Sequence, residues 1–143
     1  MKKLIYTLLI IIALTNNSFA AGSSSDSDST PKASDYTKAK NLIKAAKKYE
    51  KKGKIDKAQE RYAKAQKLLL KSNEIKPLQA DTLNYLGFTT RKLGDYDGGE
   101  KFYLQGLQIE PNHNGINEYL GELYVATNRM DMAKERLEVL KTC

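Results

Sequence analysis

A residue pair that returns 34 positions later constrains this chain more than any other feature. Leu86-Gly87 recurs as Leu120-Gly121, and Gly94-Asp95-Tyr96 returns in degraded form as Asn128-Arg129-Met130. No long insertion separates the copies. A fixed period of this size marks a stack of helical hairpins, because one hairpin cannot bury its apolar face alone and must lean on the next. Such stacks expose long surfaces suited to holding other molecules.

From Asp35 onward apolar residues recur at steps of three and four, without a convincing strand signal. Leu42, Ala45, Ala46 and Tyr49 share one face of a first helix, which Gly53 breaks. Ile55, Ala58, Tyr62, Ala65, Leu68 and Leu69 form the stripe of a second, and Pro77 closes the pair. The next hairpin opens near Ala80, with Leu83, Leu86, Gly87 and Thr90 on its inner face. Gly94 turns the chain, and Asp95 suits the N-cap, where a carboxylate accepts the free amide protons of the first turn. Tyr96, Gly99, Tyr103, Gly106 and Leu107 line the following helix, which Pro111 ends. A third hairpin uses Leu120, Gly121 and Tyr124, then turns at Asn128, a residue that tolerates the left-handed backbone. Met130, Ala133, Leu137 and Leu140 continue it.

These residues resemble the tetratricopeptide repeat. That family's pattern has a large residue, then Leu-Gly, then Tyr in the first helix, followed by Ala, a large aromatic, Ala and Pro in the second. The middle unit matches at Leu83, Leu86-Gly87, Tyr103 and Pro111, and departs at Thr90, Gly99 and Gly106. The third supplies Leu120-Gly121, Tyr124 and Ala133. The first supplies Leu42, Tyr49, Gly53, Ala58, Tyr62 and Ala65 but lacks Leu-Gly. The resemblance implies an all-α, right-handed solenoid of antiparallel hairpins over residues 35–143, with units at about 39–79, 80–113 and 114–143.

Gly87 and Gly121 are expected where helices cross closely, so that a side chain would push the pair apart. Gly99 and Gly106 are expected to do the same on the partner helix, although each costs about 1 kcal/mol of helix propensity against Ala. Gly53 to Gly94 spans 41 residues, against 34 from Gly94 to Asn128. The surplus amounts to two helical turns through Lys67-Leu68-Leu69-Leu70-Lys71. Three consecutive leucines either serve both flanking helices or leave one as an exposed contact. Leu137, Val139 and Leu140 have no following helix in the sequence to cover them. Either the third unit docks on something, a second copy included, or the chain is a fragment.

The N-terminus has the grammar of a secretory signal. Met1-Lys2-Lys3 is basic, Leu4 to Leu14 is nearly all aliphatic, and Ser18-Phe19-Ala20 offers small residues for cleavage. The apolar run is shorter than the roughly 20 residues of a membrane span. Residues 1–20 are thus expected to be removed, placing the protein in a bacterial periplasm or outside the cell, without stable membrane insertion. Residues 21–34 hold no large apolar side chain and read as a Ser/Asp-rich linker. The single cysteine, Cys143, is free or paired between molecules, so packing alone must build the core.

Charge is unevenly divided. Residues 39–79 carry 13 Lys or Arg against 4 Asp or Glu, a balance of +9, while residues 80–143 balance at −3. That asymmetry suits an acidic protein or an anionic envelope surface. Export and the lack of a stacking platform argue against nucleic acid. The only histidine, His113, has no ligand-spaced neighbour in the sequence, so no metal, cofactor or catalytic residue is expected. Gly98-Gly99 lacks the preceding strand of a phosphate loop.

In the resembled family, ligands lie in the groove lined by the first helix of each hairpin. By position, the candidates are Lys47, Glu50, Lys51, Asn84, Phe88, Arg91, Lys92, Glu118 and Glu122. Asn84, Arg91 and Lys92 would grip a carboxylate or a peptide backbone, with Phe88 as an apolar anchor. The expected protein is a non-catalytic adaptor or assembly factor for a protein or peptide. The alternatives are self-association, as a homodimer for instance, through the uncovered hairpin, or adhesion to anionic surfaces through the basic unit.

Overall fold

The computed structural model describes residues 34–142; the signal, all of the linker but Ser34, and Cys143 lie outside them. Within this range are six helices and no strand: α1 (Asp35–Lys51), α2 (Ile55–Ile75), α3 (Ala80–Lys92), α4 (Tyr96–Ile109), α5 (Asn114–Ala126) and α6 (Met130–Lys141). α1/α2, α3/α4 and α5/α6 pair as hairpins, which stack through α2 on α3 and α4 on α5. The first helices also touch in series, α1 to α3 and α3 to α5. The result is an all-α helical-repeat solenoid. None of the described helices is long and apolar enough to cross a membrane.

The three hairpin turns share one backbone solution. Gly53, Gly94 and Asn128 take φ of +68°, +99° and +59°. After each, an amide reaches back five residues to a carbonyl, from Lys54 to Tyr49, Asp95 to Thr90 and Arg129 to Tyr124. This is the Schellman closure, which a left-handed residue permits. Helix starts are built locally. Ser34 Oγ accepts the Thr37 amide at 3.2 Å, and Asp95 accepts that of Gly98 at 2.8 Å. His113 Nδ1 accepts the Ile116 amide at 3.2 Å, which leaves Nε2 to face Asp81 Oδ1 at 3.2 Å. A carboxylate 32 residues upstream thus meets the histidine that its own stretch of sequence leaves isolated.

Ala58, Tyr62, Ala65 and Leu69 are buried in α2, and Tyr62 and Tyr103 are the fully enclosed aromatics of the first two units. Three stripe assignments fail for one reason, and a fourth, Leu137, is 51% exposed beside α5. Ile55, Tyr96 and Met130 open the second helix of each hairpin and are 51%, 41% and 49% exposed. They occupy one repeat position, at the turn, before the second helix reaches the first. In α1 the deepest residues are Ala39, Ile43 and Ala46, with Leu42 and Tyr49 partly buried around them. Of the leucine triplet, Leu69 is fully buried, Leu68 packs partly, and Leu70 is exposed. The triplet thus leaves one leucine, Leu70, exposed.

The glycines divide by what surrounds them. A Cβ on Gly87 would lie 2.5 Å from the Tyr103 ring, and one on Gly99 3.0 Å from the Gly87 carbonyl oxygen. A Cβ on Gly106 would collide with Ile116 of α5, so this glycine admits the next unit. On Gly121 a Cβ meets only the Arg136 Cβ, at 3.6 Å, an ordinary contact. The expected close crossing therefore exists at Gly87 and not at Gly121.

α3 is enclosed on nearly every side, which explains its buried polar residues. Thr90 stands where the repeat pattern has Tyr, and Gln66 of α2 donates to its hydroxyl at 2.8 Å. Asn117 is fully buried in α5, where its amide holds the preceding loop through the Pro111 and His113 carbonyls at 3.0 and 3.2 Å.

Candidate functional site

The first helices of the three hairpins meet over a cavity of about 310 Å³. α1 brings Lys47, Glu50 and Lys51; α3 brings Phe88 and Lys92; α5 brings Tyr119 and Glu122. On each helix the contributing residues lie three or four apart, and so along one face.

Its floor is aromatic. The Phe88 and Tyr119 ring centroids are 4.9 Å apart, and Tyr62 meets Phe88 edge-on at 5.7 Å. The Lys47 ammonium sits 4.5 Å from the Phe88 centroid and 5.1 Å from that of Tyr119, and donates to the Tyr119 hydroxyl at 3.0 Å. Desolvated aromatic faces attract a cation and fix its position. One turn-pair away along α1, Lys40 lies 5.4 and 5.9 Å from Tyr36 and Tyr85, which are themselves 6.0 Å apart. The groove thus repeats one element, a lysine over an aromatic pair.

Its cations are largely engaged. Lys92 binds Glu50 at 2.7 Å, and the Tyr62 hydroxyl donates to the same carboxylate at 2.9 Å. Burial would raise the Glu50 pKa, yet Lys92 and Tyr62 together outweigh it and hold the group below the ordinary carboxylate range. Burial first, and the bond to Glu50 second, push the Tyr62 hydroxyl far above its usual range. Arg91 bridges to Glu122 at 2.6 Å. Lys51, on the rim, has no ion pair among the described residues.

Lys47, Glu50, Lys51, Phe88, Lys92 and Glu122 therefore converge, while other candidates do not. Phe88 is 2% exposed and forms the floor rather than an anchor open to a ligand. Asn84 is buried against the start of α5, with its amide nitrogen 2.6 Å from where a Cβ on Gly115 would stand. It cannot join Arg91 and Lys92 in one grip. Glu118 lies on the other side of α5, along the α5/α6 crevice. Sequence reasoning missed Tyr36, Lys40, Tyr85 and Tyr119. A signal for two of these was present, since Tyr85 and Tyr119 are themselves 34 apart.

A larger hollow of about 660 Å³ lies where the extra turns of α2 overhang the starts of α1 and α3. Among its charges, Asp35 binds Lys38 at 3.3 Å and Lys71 at 3.1 Å. Burial, with Asp81 beside it, pushes the Tyr36 pKa up to about 12. Among the described residues no group of His, Cys, Asp or Glu could hold a metal ion.

Three stacked hairpins with their first helices along one face define a helical-repeat solenoid. Residues 80–113 match the family described as tetratricopeptide repeat. Among solved structures, the chain is similar to a mutant of MamA at 18% identity and a TM-score of 0.52, covering 73% of this chain and 96% of that one. It is also similar to the second tetratricopeptide-repeat domain of Spaghetti (RPAP3) bound to an HSP90 peptide, at 16% identity and a TM-score of 0.47, covering 75% and 93%. No curated protein matches the sequence. Residues 80–113 thus match one tetratricopeptide repeat, and the three stacked hairpins share the fold of such repeats.

Proposed function

We propose that this protein is a non-catalytic adaptor or assembly factor of the bacterial periplasm, and that its concave groove holds an extended peptide or a helix of a partner protein. The observation that carries this reading is the lysine held over Phe88 and Tyr119, with Lys51 and Lys92 around the same cavity. Such a site favours a segment carrying carboxylates, which would compete with Glu50 and Glu122 for cations already in place. Binding is then an exchange of ion pairs, with modest net gain and strong dependence on salt. The periplasmic placement rests on the signal-like pattern of Met1 to Ala20.

The test places a photo-crosslinking residue at Lys51 or at Lys101, an exposed position on α4, in cells expressing the full chain. A discrete adduct from position 51 alone, in the periplasmic fraction, is the expected result. The crosslinked segment, made as a peptide, should bind about 10-fold more weakly to Lys47→Ala and more tightly to Glu122→Gln, which frees Arg91. Equal adducts from both positions, or affinity indifferent to Lys47, would refute the groove. A chain recovered only from the cytoplasm would refute the location.

A further inference from the structure

The crevice between α5 and α6 is a surface that no further hairpin covers among the described residues. In the preceding unit the matching crevice, between α3 and α4, receives Ile116, Leu120 and Leu123 of α5, all fully buried. Among the described residues no helix enters the α5/α6 crevice, a hollow of about 310 Å³ flanked by Val125, Met130, Leu137 and Leu140. Val125 and Leu137 remain more than half exposed, and α6 buries no residue fully.

The opposite end of the array cannot fill this crevice. The α1 residues equivalent to buried Thr82 and Thr89 of α3 are Asn41 and Lys48, both exposed. Seating α1 of another molecule in the crevice would desolvate Lys48 beside Lys134 and Arg136, with Glu118 as the one carboxylate of the lining. Growth from head to tail is therefore disfavoured.

The crevice side of α6 and the charges beside it are complementary to a second copy. Met130, Ala133, Leu137 and Leu140 form a stripe at steps of three, four and three. Asp131, Lys134, Glu138 and Lys141 repeat that spacing one residue on, and all four are well exposed. Read antiparallel against a second copy, Asp131 faces Lys141 and Lys134 faces Glu138, in both directions. Read parallel, each residue would face its own like charge. Flanking charges of this kind set orientation in paired helices.

We propose that two copies of this protein associate through antiparallel α6 helices, about a two-fold axis crossing them near Arg136, with the Met130–Leu140 stripe closed between them. Such an isologous contact uses the same α6 surface on both copies, and assembly stops at the dimer. The two concave grooves remain available, so the pair would present two binding sites.

Sedimentation velocity of the full chain, with Cys143 kept reduced, tests this. The wild type should be a dimer that dissociates on dilution. Glu138→Lys alone, or Lys134→Glu alone, sets like charges against each other twice and should weaken the dimer about 10-fold or more. The double exchange should restore it. Within one molecule Lys134 pairs with Asp131 at 3.3 Å and Lys141 with Glu138 at 2.7 Å, so the double variant breaks both internal pairs. A role confined to helix stability would thus make the double variant the worst of the three, which would overturn the proposal. So would a wild type that stays monomeric at every concentration, leaving the crevice to another protein's helix. Open-ended growth, or a dimer indifferent to the single exchanges, would overturn it as well.

Discussion

Gly87 and Gly121 occupy the same repeat position, yet replacing each with alanine should move stability in opposite directions. A Cβ at Gly87 would stand 2.5, 2.6 and 2.8 Å from three carbons of the Tyr103 ring. That ring is fully buried and cannot swing into solvent. Overpacking of this kind costs about 1–3 kcal/mol, while the gain in helix propensity returns about 1 kcal/mol. The net for Gly87→Ala is a loss of up to about 2 kcal/mol, or up to roughly 10 °C in a domain of this size. At Gly121 the new methyl meets only Arg136 at 3.6 Å, so propensity acts alone. Gly121→Ala should gain about 0.5–1 kcal/mol, part of it through the stiffer unfolded chain. Urea unfolding of the two variants beside wild type, followed by helical circular dichroism, reads both signs at once. A Gly87→Ala protein as stable as wild type would show that Tyr103 has room to move, and the argument from close approach would fall. A destabilised Gly121→Ala would show that α5 and α6 lie closer than the geometry allows.

Two pH responses follow from the groove and core. Glu50 is held below its ordinary pKa of 4.5 in the folded state, so its contribution is complete above that value and is lost as pH falls below it. Acid titration of stability should therefore be shallower below about pH 4.5 in Glu50→Gln than in wild type. At the other extreme, burial first and Asp81 second raise the Tyr36 pKa from 10 to about 12, and burial lifts Tyr62 and Tyr103 further. Their protonated forms favour the fold fully below pH 10, and that stability is lost as pH rises through 10 toward 12 and beyond. Tyrosinate absorbance and helix content should thus change together. Ionisation of these tyrosines in a chain that stays fully helical would refute their burial.

Much of the architecture can be read from the chain because a repeat states its rule more than once. Gly53, Gly94 and Asn128 announce three equivalent turns, and all three adopt the left-handed backbone. The rule misleads where position and neighbour diverge. Ile55, Tyr96 and Met130 keep the apolar period but lie at the turn, where no partner helix covers them. Gly121 keeps the identity of Gly87 without its aromatic neighbour, because Tyr103 has no counterpart of that size in α6.

The groove is less legible, and the reason is the reach of its bonds. Lys92 and Glu50 are 42 residues apart, Arg91 and Glu122 31, and Lys47 and Tyr119 72. A sequence shows how many cations a face carries, but whether each is already engaged depends on which carboxylate the fold brings to it. A count of +9 over residues 39–79 suggests an open basic surface. In the folded protein the groove cations are positioned, and two of them are neutralised, Lys92 by Glu50 and Arg91 by Glu122. That changes the expected ligand behaviour. An open basic surface would take any polyanion, with affinity rising with the number of charges. A groove that must release its own carboxylates favours a partner whose acidic groups match the Glu50 and Glu122 positions, and charge without that spacing gains little.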